Sequence, residues 1–534
     1  MKLPRTLLKR IGSNSGTIYF CLFLGLFLFF LYGLICDNVT AVCSVCFWAV
    51  FLFLFYLSRM GSDLHKAIRE NNLYERLMTI LVAAITVFYC IAPMDLSPTW
   101  NGENPDHRNQ YELLAESFLD GRLYIEYGDE EELLTLNNPY DPEERRDSGV
   151  AYHWDHAFYN GRYYMYFGVA PVLFVFLPYR ILTGNPLTTF RATQLFTAGI
   201  VLGFFALFRL LSKKFFKKIT LGMYLFLSAA FSVISVWHAT AEPALYDTAI
   251  TAGICAEVWS IFFFCKGVLD CHEENTQLIY AAVGSMLGAL TFACRPPIGL
   301  ANIVVLPLLI AFLRQRTVTP RLVGKLFLAA LPYFVVAAGL MLYNYARFQN
   351  PFEFGQTYQL TSVDQLELFE SVTKIRIIND VIQHFFDYYP LKEEFPYITH
   401  GGTFFNFPIF LCLFSGFLPH VQNTLRNKKL VFPVLMLVAA ILLIAGIDAV
   451  GSPYLLERYR MDTYFLVSIL CFVMIGAWHE AVEPEKKKRF SSILMHLSVF
   501  MILLAYFHYL YEIQWDLGDY VAGMESIIFF WRSI

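Results

Sequence analysis

The chain is 534 residues long, 57% hydrophobic, 17% aromatic and 16% charged, with a formal net charge of -4. Soluble globular domains carry about a quarter of their residues as charges, so this composition excludes one, and no nucleic-acid partner is expected. What remains is an all-α polytopic membrane protein.

Lys2, Arg5, Lys9 and Arg10 precede an apolar run that begins at Thr17. The run is about 20 residues long, too long for the core of a signal peptide, and no small-residue cleavage site follows. It reads as a retained first span. Apolar windows then place thirteen spans, near 17–36, 40–58, 76–94, 189–211, 219–237, 245–265, 278–294, 298–313, 323–344, 403–420, 430–448, 461–480 and 491–511. Residues 1–75 would be two additional N-terminal transmembrane helices, 76–511 the main membrane domain, and 512–534 an amphipathic tail. Large extracytoplasmic loops are expected at 95–188 and 346–402. Cys43 and Cys46 form a CxxC inside an apolar segment and read as packing. None of the eleven cysteines falls in the two long polar loops, so no disulfide framework is expected there.

The interval from Asp95 to Arg162 holds sixteen acidic and five basic side chains. That is a local charge of -11 against -4 for the whole chain, leaving +7 elsewhere. The cations gather in short loops, at Lys213 to Lys218, Arg314 to Lys325, Arg426 to Lys429 and Lys486 to Arg489. The positive-inside rule places those loops and the N-terminus in the cytoplasm and the acidic loop outside. Counting from both ends agrees only if the apolar stretch 163–183 does not cross. Pro171, Pro178, Arg180 and Gly184 break it, so it is expected to lie in or dip into the outer leaflet.

Two constellations in the acidic loop carry candidate chemistry. In NPDHRNQYELLAESFLDG, Tyr111, Leu114, Ala115, Phe118 and Leu119 recur at helical spacing. Asn104 reads as the N-cap, Pro105 as the first helical residue and Gly121 as the stop. Asp106 then sits in the first turn, where the helix dipole favours its anion. Such a carboxylate can orient an acceptor hydroxyl, take its proton or hold a divalent cation; it is equally a favourable first-turn acid. In AYHWDHAFYNGRYYMYFGVAPVL, Asp155 and His156 lie among aromatics before a tight turn at Asn160-Gly161. An aromatic-rich polar site at bilayer level suits a sugar ring. His156 is equally a turn cap.

Arginines on the outer side suit a lipid phosphate through bidentate contacts. Arg295, Arg347, Arg458 and Arg460 are the candidates, with Arg162 and Arg191 beside the acidic loop. Glu242 and Asp247, in WHATAEPALYD, are outward-facing acids that could line a pocket.

The order of these elements resembles the GT-C superfamily of integral-membrane glycosyltransferases, such as the protein O-mannosyltransferases and the aminoarabinose transferases of lipid A. The resemblance rests on Asp106 in PDHRNQYELLAESFLDG, on WDHAFYNGRYYMYFGVAPVLFVFLPYRILTG, and on FRATQLFTAGIVLG from Arg191. CRPP at Cys294 to Pro297, YNYARFQNPFEFGQTYQL and ERYRMD from Glu457 to Asp462 extend it. It departs from the family where relatives have paired acids, since Asp106-His107 stands there, and where they have His-Pro-Pro-Leu, since Val169 to Val172 reads Val-Ala-Pro-Val. The resemblance implies a polyprenyl-phosphate-sugar donor, an extracytoplasmic glycan, protein or lipid acceptor, and inversion at the sugar. Asp106 would activate the acceptor and Asp155 would position sugar or metal. No cofactor is required; a divalent cation, Mg or Mn, at Asp106 and Asp155 is left open. The rival readings are a transporter or flippase of lipid-linked saccharide and a non-catalytic partner in cell-envelope polysaccharide assembly.

Overall fold

In the computed structural model the described residues are 15–59, 61, 63–68, 72–96, 110–243, 245–452 and 455–529. Twelve helices among them are long and apolar enough to cross a membrane. The first four are α1 (Ser15–Ile35), α2 (Val39–Leu57), α3 (Leu73–Ile91) and α4 (Thr189–Phe215). Next come α5 (Leu221–Ala241), α6 (Leu245–Cys265), α7 (Glu274–Cys294) and α8 (Pro296–Arg314). The last four are α9 (Pro320–Phe348), α10 (Val431–Gly451), α11 (Glu457–Ala481) and α12 (Pro484–Ile513).

Helix α5 is among the least apolar of the twelve, yet it is buried along its whole length. Its serines are satisfied within the helix: Ser228 donates to the Tyr224 carbonyl at 2.6 Å, Ser232 to that of Ser228 at 2.7 Å and Ser235 to that of Phe231 at 2.8 Å. Small residues let neighbouring backbones approach, which drives helix packing where lipid removes the hydrophobic incentive. Helices α4, α11 and α12 pack around it, with Phe208 stacked on Phe472 at 4.1 Å. The more apolar α1 and α9 lie at the periphery and expose nearly all of their surface.

One end of the bundle collects the cations. Lys428 donates to the Phe215 carbonyl at the close of α4, Lys218 lies 4.0 Å from Glu480 at the close of α11, and Lys325 pairs with Glu274 at the start of α7. Arg316 donates to Gln277 at 2.5 Å on the same side. The opposite end carries the two large polar loops.

The apolar stretch after Tyr163 does not form a crossing helix. Val172–Thr183 is a shorter helix that opens with five residues of π-helix and stops at Gly184, φ 72°. It packs against Gln110–Leu119, where Arg180 lies 2.5 Å from Glu112 and Phe176 stacks on Tyr111 at 5.2 Å.

The span expected at 403–420 requires correction. It is not one helix of spanning length but a turn of α-helix (Thr403–Asn406), a 3₁₀ run (Pro408–Phe417) and a short helix (Pro419–Asn427). Pro408 and Pro419 each open a segment, because a proline cannot donate to the preceding turn. The segment still runs from one end to the other. Asn406 bonds Glu457 at the start of α11, and Lys428 reaches the close of α4. A 3₁₀ run rises about 2 Å per residue, which lengthens its reach relative to α-helix.

The tail holds a helix, Gly518–Ile528, whose last carbonyl accepts from Trp48 of α2 at 2.9 Å. Tyr19 of α1 lies 2.8 Å from His496 of α12. The two N-terminal helices are thus attached along α12 and the tail, where Phe47 and Trp48 of α2 join Phe395 and Tyr397 of the second loop in one apolar cluster. The second loop carries two helices, Gln365–Ser371 and Lys374–Phe386. All eleven cysteines are free.

Gly168 joins the first loop to the bundle. A Cβ there would stand 2.1 Å from the Cys294 carbonyl oxygen and 2.2 Å from that of Ala293, both backbone atoms at the end of α7. Gly168→Ala is expected to destabilise the fold by about 2–3 kcal/mol, seen as a lower midpoint of thermal unfolding in detergent.

Candidate active site

Asp155, two residues before β1 (Ala157–Tyr159) and its partner β2 (Arg162–Tyr164), sets the geometry of the site. These strands form a hairpin closed by Asn160 (φ 49°) and Gly161 (φ 70°), the Asn-Gly turn that matches strand twist. Asp155 is itself left-handed, φ 56°, a conformation Asp tolerates better than most residues. The second loop holds it there. The Asp155 amide donates to the Leu360 carbonyl at 3.0 Å, and the Leu360 amide donates to the His156 carbonyl at 2.9 Å.

The Asp155 carboxylate is thereby placed on the wall of a cavity. Gln359 Nε2 donates to one oxygen at 2.9 Å and the Tyr246 hydroxyl donates to the other. Gln110, the first residue of Gln110–Leu119, donates to the Asp155 carbonyl at 2.8 Å. Asp106, four positions earlier, lies outside the described residues, as do Asn104 and Pro105. Burial pushes the Asp155 carboxyl up to about 6, against the opposing pull of the Gln359 hydrogen bond and the Arg458 charge.

The cavity has a volume of about 680 Å³, within the range of small-molecule sites. Phe167, Phe292, Leu300 and Ile447 give it an apolar side, and Trp154, Tyr246 and Tyr459 add aromatic faces. Two arginines reach it. Arg295 is already neutralised: its Nε lies 2.8 and 2.7 Å from the two oxygens of Asp462 and its Nη2 2.6 Å from one of them. Arg458, in the first turn of α11, lies 4.0 Å over the Tyr246 ring and makes no ion pair among the described residues. Asp448 of α10 also lines the cavity, with Oδ2 buried and without a hydrogen-bond partner among the described residues.

The remaining sequence candidates fall outside the cavity lining. His156 is buried behind Asp155, with Nδ1 2.9 Å from the Trp154 carbonyl and Nε2 2.9 Å from the Tyr127 hydroxyl. Burial pushes its imidazole down to about 4, so it is neutral at pH 7 and shapes the turn. Arg162 is exposed and lies over the Tyr124 ring, while Arg191, also exposed, faces Asp95 at 3.4 Å. Arg347 is buried, donating to the Met165 carbonyl at 2.6 Å and to Asn344 at 2.8 Å; it braces the loop. Glu242 and Asp247 gather around His238 on the far side of the α6 start from Tyr246.

The sequence matches no family model and no curated protein. Its structure is similar to those of ArnT and AglB. ArnT from Cupriavidus metallidurans in the apo state aligns with a TM-score of 0.40 and 13% identity, covering 77% of this chain and 61% of that one. The same protein bound to undecaprenyl phosphate gives 0.39 and 13%, covering 80% of this chain and 76% of that one. The archaeal oligosaccharyltransferase AglB from Archaeoglobus fulgidus, in complex with an inhibitory peptide and a dolichol-phosphate, gives 0.45 and 12%, covering 81% and 56%. The chain therefore spans less than two thirds of the length of the apo ArnT and AglB chains.

Tyr246, Gln359 and Asp448 line the cavity and Asp462 holds Arg295, and sequence reasoning singled out none of the four. Asp448 had a usable signal, since an acid inside an otherwise apolar helix marks function more often than packing. Tyr246 and Gln359 had none, because their place depends on contacts with a residue 91 and 204 positions away.

Proposed function

We propose that the chain is a GT-C-type membrane glycosyltransferase that moves a sugar from a polyprenyl-phosphate donor to a hydroxyl of an extracytoplasmic acceptor. The observation that carries this reading is one cavity, away from the cation-bearing end, with a buried carboxylate on one wall and an unneutralised guanidinium on another. The positive-inside rule then orients the cation end and the N-terminus to the cytoplasm and the cavity to the outer side of the cell membrane.

In the proposed reaction the acceptor oxygen attacks C1 of the sugar. The bond from C1 to the phosphate oxygen breaks, and its electron pair leaves with the polyprenyl phosphate. The acceptor proton passes to Asp106, four positions before Gln110, whose side chain donates to the Asp155 carbonyl. Asp155, fixed by Tyr246 and Gln359, accepts hydrogen bonds from sugar hydroxyls. Arg458 offers a planar fork to the leaving phosphate and neutralises the charge that develops there. Inversion at C1 is carried over from the family resemblance.

Asp106 and Asp155 would hold a divalent cation if one is bound, with Asp106 outside the described residues; no step of the proposed reaction is routed through a metal.

Purified protein incubated with a polyprenyl-phosphate sugar and acceptor is expected to release polyprenyl phosphate and glycosylate the acceptor. Donor left intact with every acceptor class, glycan, protein and lipid, would overturn the reading. Because the Asp155 carboxyl titrates near 6 and the ionised form is the one that binds hydroxyls, the release rate is expected to be flat above that pH. It should fall tenfold per unit below it, measured as initial rate against pH. The transporter reading has one observation on its side: Glu257 is buried within α6 with Thr291 as a partner at 3.1 Å, and intramembrane acids mark ion paths. Flipping releases no polyprenyl phosphate, so the same assay separates the two.

A further inference from the structure

We infer that His238, Glu242 and Asp247, where α5 ends and α6 begins, form a binding site for a zinc-type divalent cation. Each offers a ligand atom, and the three atoms lie within 4.8 Å of one another. His238 Nδ1 is 3.1 Å from Asp247 Oδ1. Asp247 is 1% exposed, and its Oδ2 has no hydrogen-bond partner among the described residues. A buried carboxylate oxygen left without a partner carries its full desolvation cost; a cation bound between these groups would remove it.

The surroundings extend the ligand set. Glu512 of α12 has Oε1 3.9 Å from His238 Nε2, and its Oε2 is 2.6 Å from His400 Nε2. A further carboxylate, itself oriented by an imidazole, thus stands near the other nitrogen of His238, beyond hydrogen-bond distance in this structure. Imidazole nitrogen with carboxylate oxygens suits zinc over magnesium or calcium, which prefer oxygen alone. The residues are separate from the cavity lining and from Asp155. Tyr246 immediately precedes Asp247 and donates to the Asp155 carboxylate, so the ion would hold the first turn of α6 and, through it, the hydroxyl that orients Asp155. His238 and Asp247 are positioning residues in this scheme.

The proposal stands apart from the transfer reading and is tested without it. Full-length protein in detergent, stripped by a chelator, exposed to zinc chloride and desalted, is expected to retain one zinc per chain by elemental analysis. It should also unfold at a higher temperature than the stripped form, with no such shift from magnesium chloride. His238→Ala and Asp247→Asn are each expected to lose the zinc and the shift, and Asp155→Asn to keep both. Cobalt(II) added to stripped wild-type protein should give the visible absorption of a tetrahedral site and be displaced by zinc, a readout that survives a variant's failure to fold. Wild-type protein that retains no zinc and shows no cobalt band, or zinc retained in both variants, would overturn the site. Absent metal with intact glycosyl transfer would end this proposal alone, and retained metal without transfer would end the other.

Discussion

Asp155→Asn is expected to lower glycosyl transfer by about a hundred- to ten-thousand-fold with the protein still folded and inserted. The argument is geometric. The left-handed backbone at 155 and the paired strands around Leu360 do not depend on the charge, and an Asn fits the same conformation. What changes is one oxygen: an amide in place of the carboxylate presents a donor toward Tyr246 or Gln359, both of which donate to Asp155. Asp106→Asn should likewise bring transfer to background, because an amide cannot accept the acceptor's proton. The two variants are expected to differ in donor binding. Asp155→Asn should raise the KM for the sugar donor, and Asp106→Asn should leave it near wild type, measured as donor-dependent initial rates. Wild-type transfer by either variant would remove that residue from the mechanism.

Arg458→Gln is expected to cost about a hundred- to a thousand-fold in kcat, and it should also move the acid limb of the pH profile. The Arg458 charge stabilises the Asp155 anion. Without it, the carboxyl that titrates near 6 should titrate higher, and the rate should begin to fall at a less acidic pH. Arg295→Gln is a different experiment. It leaves Asp462 buried without the cation that touches both its oxygens, and removing one member of a buried pair destabilises strongly. Loss of activity there would accompany loss of folded protein, read by size-exclusion profile and thermal unfolding, whereas Arg458→Gln should keep both.

The contrast between these two arginines shows what a one-dimensional reading can and cannot reach. Both were candidates for the same reason, as cations at the outer ends of spans. Which one is free depends on Asp462, 167 residues from Arg295 in the chain, and no local pattern reports such a partner. By comparison, the helix that does not cross was legible. Pro171, Pro178 and Gly184 interrupt an apolar stretch, and the positions of the lysines demanded that one stretch be removed from the count. The Asn160-Gly161 turn was legible as well, because the backbone there must take positive φ.

Residues 403–420 show the opposite case. Hydropathy reports that a segment is apolar but not its helical rise, and Pro408 and Pro419 turned one expected helix into three pieces that traverse the bundle in part by a 3₁₀ run. Among the acids, Asp448 shows that a single charge within an apolar helix is a usable signal beside the crowd of carboxylates in the loop, from which Asp155 comes.

The bridge between Asp155–His156 and Leu360 has a consequence for how the protein is made. During synthesis the ribosome must emit α9 and the stretch beyond it before Gln359 and Leu360 exist to clamp Asp155, and Arg458 comes a hundred residues later still. Under the proposed mechanism, a chain that ends before α11 lacks the guanidinium assigned to the leaving phosphate, so a half-translated chain would leave lipid-linked sugar almost wholly unspent until it is nearly complete.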